Sequence, residues 1–289
     1  MQKHSIFIGM KIRQVKIIAG KFFVLSVLMF LVSWISCSKE EPGETEPKDE
    51  NNKTVWVFLM AGQSNMAGRG AVEAQDLITN NRIITINSGN NWITAKEPLH
   101  FYEPGSAGLD CGLSFAKELL NFVPDSVTIA MVPCAVGGSS VFQWLNDEEH
   151  RSVKLLSNFK AKAQLSKKKG TIKGILWHQG ERNANETDLP EYEDTLLTLF
   201  SKFRTSVADD ELPIILGEIG RFAEPEEKAA YFEEVNQIIR KVAEENSYLF
   251  YISSEGLEDR GDNLHFNSEG QRELGRRYAE KYIDASGLN

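Results

Sequence analysis

The chain has 289 residues, 42% of them hydrophobic and 25% charged. That globular composition excludes collagen-like, wholly disordered and multi-span membrane classes, and the length suffices for a sizeable core. Its 41 acidic and 32 basic residues leave a net charge of −9, a balance that repels phosphate backbones, argues against a nucleic-acid partner and favours neutral or weakly charged substrates. Three cysteines are too few for a disulfide framework, so stability has to come from packing.

The first 37 residues hold five basic side chains (Lys3, Lys11, Arg13, Lys16 and Lys21) and no acid, so the remainder carries −14. Phe22 to Ile35 is apolar apart from Ser26 and Ser33, yet shorter than the roughly 20 residues a membrane crossing takes. A basic stretch, an apolar run and then small residues read as a secretory signal. Trp34-Ile35-Ser36-Cys37 resembles a loose bacterial lipobox, which implies cleavage before Cys37 and a lipid anchor on it. The alternatives are an ordinary cleaved signal or a retained anchor helix. Ser38 to Asn52 contains no large apolar residue and reads as an acidic, solvated tether. It resembles the surface-export signals of Bacteroidetes-type lipoproteins, so a lipid-anchored protein at the outer membrane or cell surface is expected. The domain plan is a signal over 1–37, a tether over 38–53 and one catalytic domain over 54–289.

Strands are predicted at Val55–Met60 and Ile83–Ile86, then a helix at Leu113–Phe122 and a strand at Val127–Val132. A helix at His150–Lys168, a strand at Ile172–Trp177 and a helix at Leu189–Val207 follow. A strand at Pro213–Ile219, a helix at Glu224–Glu245, a strand at Tyr248–Ile252 and a last helix at Ser268–Ile283 complete the pattern. Short apolar strands alternating with helices predict right-handed βαβ units in a three-layer α/β/α domain with a mainly parallel sheet. Met66 to Gly112, rich in Gly, Asn and Pro, is long for a loop and is placed to wall a pocket beyond the carboxyl ends of the strands.

Four polar clusters follow strands or precede the last helix. Ser64, just after the first strand, serves either as a nucleophile or as a helix N-cap. Gly137-Gly138-Ser139-Ser140 offers paired glycines whose N–H groups can face an oxyanion, or else a tight turn with a serine cap. Gln179, in Trp177-His178-Gln179-Gly180-Glu181, carries an amide that either donates to an oxyanion or stabilises a loop. Asp262 lies three residues before His265, a spacing that can bring its carboxylate to Nδ1 and leave Nε2 free to accept a serine proton. A solvated pair is the plainer reading.

In this order, G-Q-S-N-M-A-G at Gly62–Gly68, P-C-A-V-G-G-S-S at Pro133–Ser140, W-H-Q-G-E at Trp177–Glu181 and D-N-L-H-F-N at Asp262–Asn267 resemble the SGNH hydrolase superfamily. The closest branch is that of sialate O-acetylesterase-like and acetylxylan-esterase-like proteins, and the resemblance spans most of Val55–Ile283. It implies a flavodoxin-like α/β/α fold and a serine esterase that removes O-acetyl groups from carbohydrates through an acyl-enzyme. Ser64 would be the nucleophile, His265 the general base and then acid, and Asp262 the group orienting it. The implied oxyanion donors are the N–H groups of Ser64 and Gly138 and the Gln179 amide, with Gly137 the second choice of glycine. Gln179 stands where the wider superfamily has Asn, a form common in the acetylesterase-like branch. Glu181 would orient the loop or touch a sugar hydroxyl. No metal or other cofactor is implied, and His4, His100, His150, His178 and His265 show no metal-ligand spacing.

Two other readings compete. An α/β-hydrolase shares the order Ser, Asp, His, but its G-x-S-x-G elbow would need glycine at Met66. A non-catalytic glycan-binding protein would use Trp92, Trp144 and Trp177 as sugar platforms, although such aromatics more often fill cores. Cys111 and Cys134 could form a disulfide or remain two buried thiols. Xylan, pectin-derived sugars, sialic acid and acetylated monosaccharides all suit the expected site.

Overall fold

The computed structural model describes residues 54–288; the signal, the Cys37 anchor and the tether expected from the sequence lie outside them. Strand β1 (Thr54–Gly62) is buried from Val57 onward. Its alternate residues separate two cores: Val57, Leu59 and Ala61 pack on one face of the sheet, Phe58 and Met60 on the other. That period of two gives the three-layer arrangement.

The sheet also contains β2 (Ile83–Ile86), β3 (Trp92–Thr94), β4 (Val127–Pro133), β7 (Thr171–His178), β8 (Ile214–Gly217) and β9 (Leu249–Ile252). Their order is β3-β2-β4-β1-β7-β8-β9. Only the edge strand β3 runs antiparallel to its neighbour. Chain connections leave β1 toward β2 and β4 on one side and later toward β7 on the other. The crevice beyond the carboxyl end of β1 is therefore the ligand position such a sheet favours.

Helices α3 (Val141–Leu145), α4 (Leu155–Lys167), α5 (Leu189–Val207) and α6 (Glu226–Glu245) cover the first face, while α2 (Gly112–Leu119) and α7 (Ser268–Ser286) cover the second. On the first face Trp144 and Trp177 meet edge to face at 5.7 Å, and Phe159 stacks on Phe203 at 3.9 Å. Each such fully buried side chain contributes about 1.5–3 kcal/mol by burial. Trp144 and Trp177 are therefore core residues and not sugar platforms, while Trp92 lies half-buried on edge strand β3. Cys111 and Cys134 are free, buried thiols that belong to the cores on opposite faces of the sheet.

The segment predicted as a helix from His150 begins differently. Residues β5 (Glu149–His150) and β6 (Val153–Lys154) pair as a small antiparallel ribbon, and α4 starts only at Leu155. Arg151 and Ser152, at the turn, both have positive φ (49° and 62°). A tight two-residue hairpin requires that backbone, but its usual Asn-Gly signal is absent here. Edge strand β3 was not predicted either. It returns through a loop in which the Asn87 side-chain oxygen accepts from the N–H groups of Gly89 and Asn91.

Candidate active site

Strand β1 ends against the backbone of β7. Gly62 has φ +135° and a Cβ there would lie 2.1 Å from the His178 carbonyl oxygen, so glycine is obligatory where the chain turns out of the sheet. The next residue but one, Ser64, opens the four-residue helix α1 (Ser64–Ala67). It is not the N-cap: Gln63 holds that position, and the Ser64 hydroxyl turns to His265, whose Nε2 lies 3.0 Å from Oγ.

The loop between β9 and α7 presents the imidazole. Asp262 Oδ1 accepts from the N–H groups of Leu264 (3.1 Å) and His265 (2.8 Å), closing an Asx turn. Its other oxygen accepts from His265 Nδ1 at 2.8 Å. That bond places the proton on Nδ1 and the free lone pair of Nε2 toward the serine. Burial pulls the His265 pKa below its ordinary 6.5, outweighing the opposite pull of Asp262. Burial raises that of Asp262, but the bonds from His265 prevail and hold it below the usual carboxylate value.

Asn65 fixes the approach of this loop to β1, and sequence reasoning missed it. Its Nδ2 donates to the Leu264 carbonyl (3.1 Å) and to Glu181 Oε1 (2.6 Å), while its Oδ1 accepts from the Phe266 N–H (3.2 Å). Both residues flanking His265 are thus held by the residue after the serine. Adjacency to Ser64 was the only available signal.

From the end of β4, Gly137 and Gly138 reach the same cleft. The Gly137 N–H is already taken, donating to Glu103 Oε2 at 2.5 Å. Among the described residues the N–H groups of Gly138 and Ser64 have no protein partner. Gly138 has φ +75°, a backbone that frees its N–H at the cost of excluding most side chains. The two serines that follow are structural. Ser139 Oγ accepts from Trp144 Nε1 and Ser140 Oγ from the Gln143 N–H, in a capping box at the start of α3.

The Gln179 amide does not line the cleft. It is fully buried, and its nitrogen lies 2.6 Å from Asn183 Oδ1, 3.2 Å from Gln63 Oε1 and 3.3 Å from the Ser139 carbonyl. Its hydrogens are committed to tying together the turns after β1, β4 and β7. Glu181 does line the cleft, but burial pushes its pKa up to about 7. Its Oε2 and His178 Nε2 are buried without a hydrogen-bond partner among the described residues. Burial also keeps His178 neutral, with a pKa of about 3.

The long loop before α2 contributes Arg69 and Glu103, also unforeseen. Glu103 accepts from both Arg69 (3.0 Å) and Arg151. Burial raises the Glu103 pKa, but the Gly137 N–H and the two guanidinium groups hold it below the carboxylate norm. The cleft, about 340 Å³, also meets Arg182 and Lys228, so its local charge is opposite to that of the whole chain.

Ser64, Gly137, Gly138, Glu181 and His265 thus meet in one cleft with Asp262 behind the imidazole, at the carboxyl edge of a mainly parallel sheet in a three-layer α/β/α domain. Residues 54–284 match the family model described as carbohydrate esterase, sialic acid-specific acetylesterase, and the chain belongs to that family. It is a carbohydrate O-acetylesterase, a carboxylic ester hydrolase. A probable carbohydrate esterase of Arabidopsis thaliana is 29% identical over 262 residues, covering 84% of this chain and 96% of the plant protein. Its crystal structure superposes with a TM-score of 0.70, covering 79% of this chain and 98% of that one. The fold is shared with NanS (TM-score 0.67, 16% identity, 82% of this chain and 99% of that one). It is also shared with a carbohydrate acetylesterase from Xanthomonas citri (TM-score 0.60, 17% identity, 82% of this chain and 57% of that one).

Proposed function

We propose that the protein hydrolyses acetyl esters of carbohydrates by a Ser64–His265–Asp262 acyl-enzyme mechanism. The observation that carries this reading is the unbroken relay of 3.0 Å from Ser64 Oγ to His265 Nε2 and 2.8 Å from Nδ1 to Asp262. Ser64 Oγ attacks the acetyl carbonyl carbon as Nε2 takes its proton, and Asp262 stabilises the imidazolium that forms. The tetrahedral oxygen is received by the unpartnered N–H groups of Ser64 and Gly138, each such donor being worth about 10²–10³ in kcat. His265 then returns the proton to the leaving sugar oxygen, and the C–O bond of the ester breaks. Water, deprotonated by the same imidazole, attacks the acetyl-serine and releases acetate.

In this reading Gln179 supports the oxyanion site from behind, through Gln63 and the Ser139 carbonyl, instead of donating directly. Glu181 likewise acts on geometry, by bracing Asn65. The test is Ser64→Ala, assayed for release of acetate from acetylated glycans and of p-nitrophenol from p-nitrophenyl acetate, with the melting temperature as a folding control. A folded variant without turnover is expected, and retained turnover would remove Ser64 as the nucleophile.

A further inference from the structure

We infer that the cleft takes an acetylated oligosaccharide bearing carboxylates, and not a neutral chain or a single sugar, with Arg182 and Lys228 on one side of His265 and Arg260 on the other receiving its charges. The inference rests on the deacetylase reading of the same site. Its starting point is a sign reversal: a chain of net charge −9 lines this cleft with Arg69, Arg151, Arg182 and Lys228. Against these four stand Glu103 and Glu181, and burial favours the protonated form of the latter.

Arg69 and Arg151 are committed to Glu103. Arg182 and Lys228 are not committed: among the described residues neither side chain has a hydrogen-bond or ion-pair partner, although Lys228 lies 5.2 Å over the Phe232 ring. They come from different elements, Arg182 from the turn after β7 and Lys228 from α6, and converge on the cleft that holds Ser64. Two cations at the cleft of Ser64 with no carboxylate among the described residues in hydrogen-bond reach form a receptor for an anionic ligand, and the low-dielectric walls of the cleft focus their field.

The length requirement comes from a second depression of about 790 Å³ that shares Arg69, Ser106 and His265 with the first. Its walls are mostly the small residues of Gly70–Val72 and Gly105–Gly108, with no carboxylate among them, and Arg260 stands at its side. Arg260 donates to the Arg69 carbonyl through Nη1 and faces Asp262 through Nε, which leaves Nη2 unpartnered among the described residues. The first depression alone is near the small end of ligand sites, which run from roughly 300 to 1,000 Å³. With the second, the trough continues past the imidazole, so an acetylated sugar at Ser64 can have neighbours on both sides.

The experiment compares wild type with the double variant Arg182→Glu/Lys228→Glu. Substrates are acetylated oligogalacturonides of one to six sugars, acetylated xylo-oligosaccharides, O-acetylated sialic acid and p-nitrophenyl acetate. Expected results are a kcat/KM that grows with oligogalacturonide length, falls with added salt and exceeds that for xylo-oligosaccharides of equal length. The double variant should raise KM for the oligogalacturonides roughly tenfold, a larger change than for the uncharged p-nitrophenyl acetate. Equal use of neutral and carboxylated oligomers, an unchanged KM in the variant, or preference for sialic acid over the oligomers would overturn the inference. Calorimetric titration of Ser64→Ala with the acetylated hexamer separates the two levels. Binding by a protein whose parent shows no turnover of any ester would sink the esterase reading and keep the anionic cleft, whereas turnover of p-nitrophenyl acetate without hexamer binding would do the reverse.

Discussion

At the scale of single residues, Asp262 acts on His265 in two ways that an amide separates. Its carboxylate fixes the Nδ1–H tautomer, and both its hydrogen bond and its charge raise the imidazole pKa against the downward pull of burial. The proposed mechanism needs Nε2 unprotonated, so activity is expected above the His265 pKa and is lost as pH falls through it. Because that pKa is lowered, the acid limb of kcat/KM lies below pH 6.5, the ordinary imidazole value. In Asp262→Asn the upward contribution disappears, so the limb moves to still lower pH. At the same time kcat falls by roughly 10⁴, since an amide no longer enforces the productive tautomer. The pH profile of p-nitrophenyl acetate hydrolysis reads both effects, and a limb displaced to higher pH would contradict this account.

At the scale of elements, the end of β7 joins two titrations of opposite sign. Glu181 is raised to about 7, so its contribution to stability is full below its unfolded value of 4.5 and is lost as pH rises through 7. His178 is lowered to about 3, so its contribution is full above 6.5 and is lost as pH falls toward 3. Between pH 4.5 and 6.5 the two trends oppose each other and flatten the stability curve. Glu181→Gln keeps an oxygen for the Asn65 amide at the Oε1 position, which lies 3.7 Å from His178 Nε2, and removes the buried charge. The variant should match wild type near pH 4.5 and melt higher by roughly 5 °C at pH 8, as scanning calorimetry at both values would show. A variant that melts lower at pH 8 would mean that the buried charge is compensated.

The same element shows what the sequence could reveal. Strand β7 and helix α5 were legible because their apolar spacing is set by burial on one face, and predicted and observed bounds coincide for α5 at Leu189–Val207. The pairing of Asp262 with His265 was legible because their contact closes within one turn. The choice between the two roles of Gln179 was not legible because its partners, Gln63, Ser139 and Asn183, arrive from three turns. Arg69, Glu103 and Arg151 escaped for the same reason: their mutual attraction depends on a long loop and a left-handed hairpin turn that carry no local signal.

At the scale of the whole molecule, charge and tethering act together. The described residues form two cores divided by one sheet, and among them no helix is long and apolar enough to cross a membrane. In the sequence before Thr54 the basic residues up to Lys21, the apolar run to Ile35 and Cys37 follow one another. We propose that Cys37 carries the anchor. A single acyl chain gives only marginal, reversible binding, whereas a cysteine bearing two or more chains stays with the bilayer. The remainder of the chain, at −14, would be repelled by an anionic leaflet, so loss of the lipid should release it completely. Expressed in a bacterium that processes lipoproteins, the chain from Met1 should incorporate labelled palmitate and enter the detergent phase on Triton X-114 partition. Cys37→Ala should take up no label and move to the aqueous phase if the signal is still cut, with p-nitrophenyl acetate turnover unchanged. Label retained by that variant would exclude Cys37. An unlabelled wild-type chain in the aqueous phase would point instead to an ordinary cleaved signal, since a retained apolar helix would still partition with the detergent.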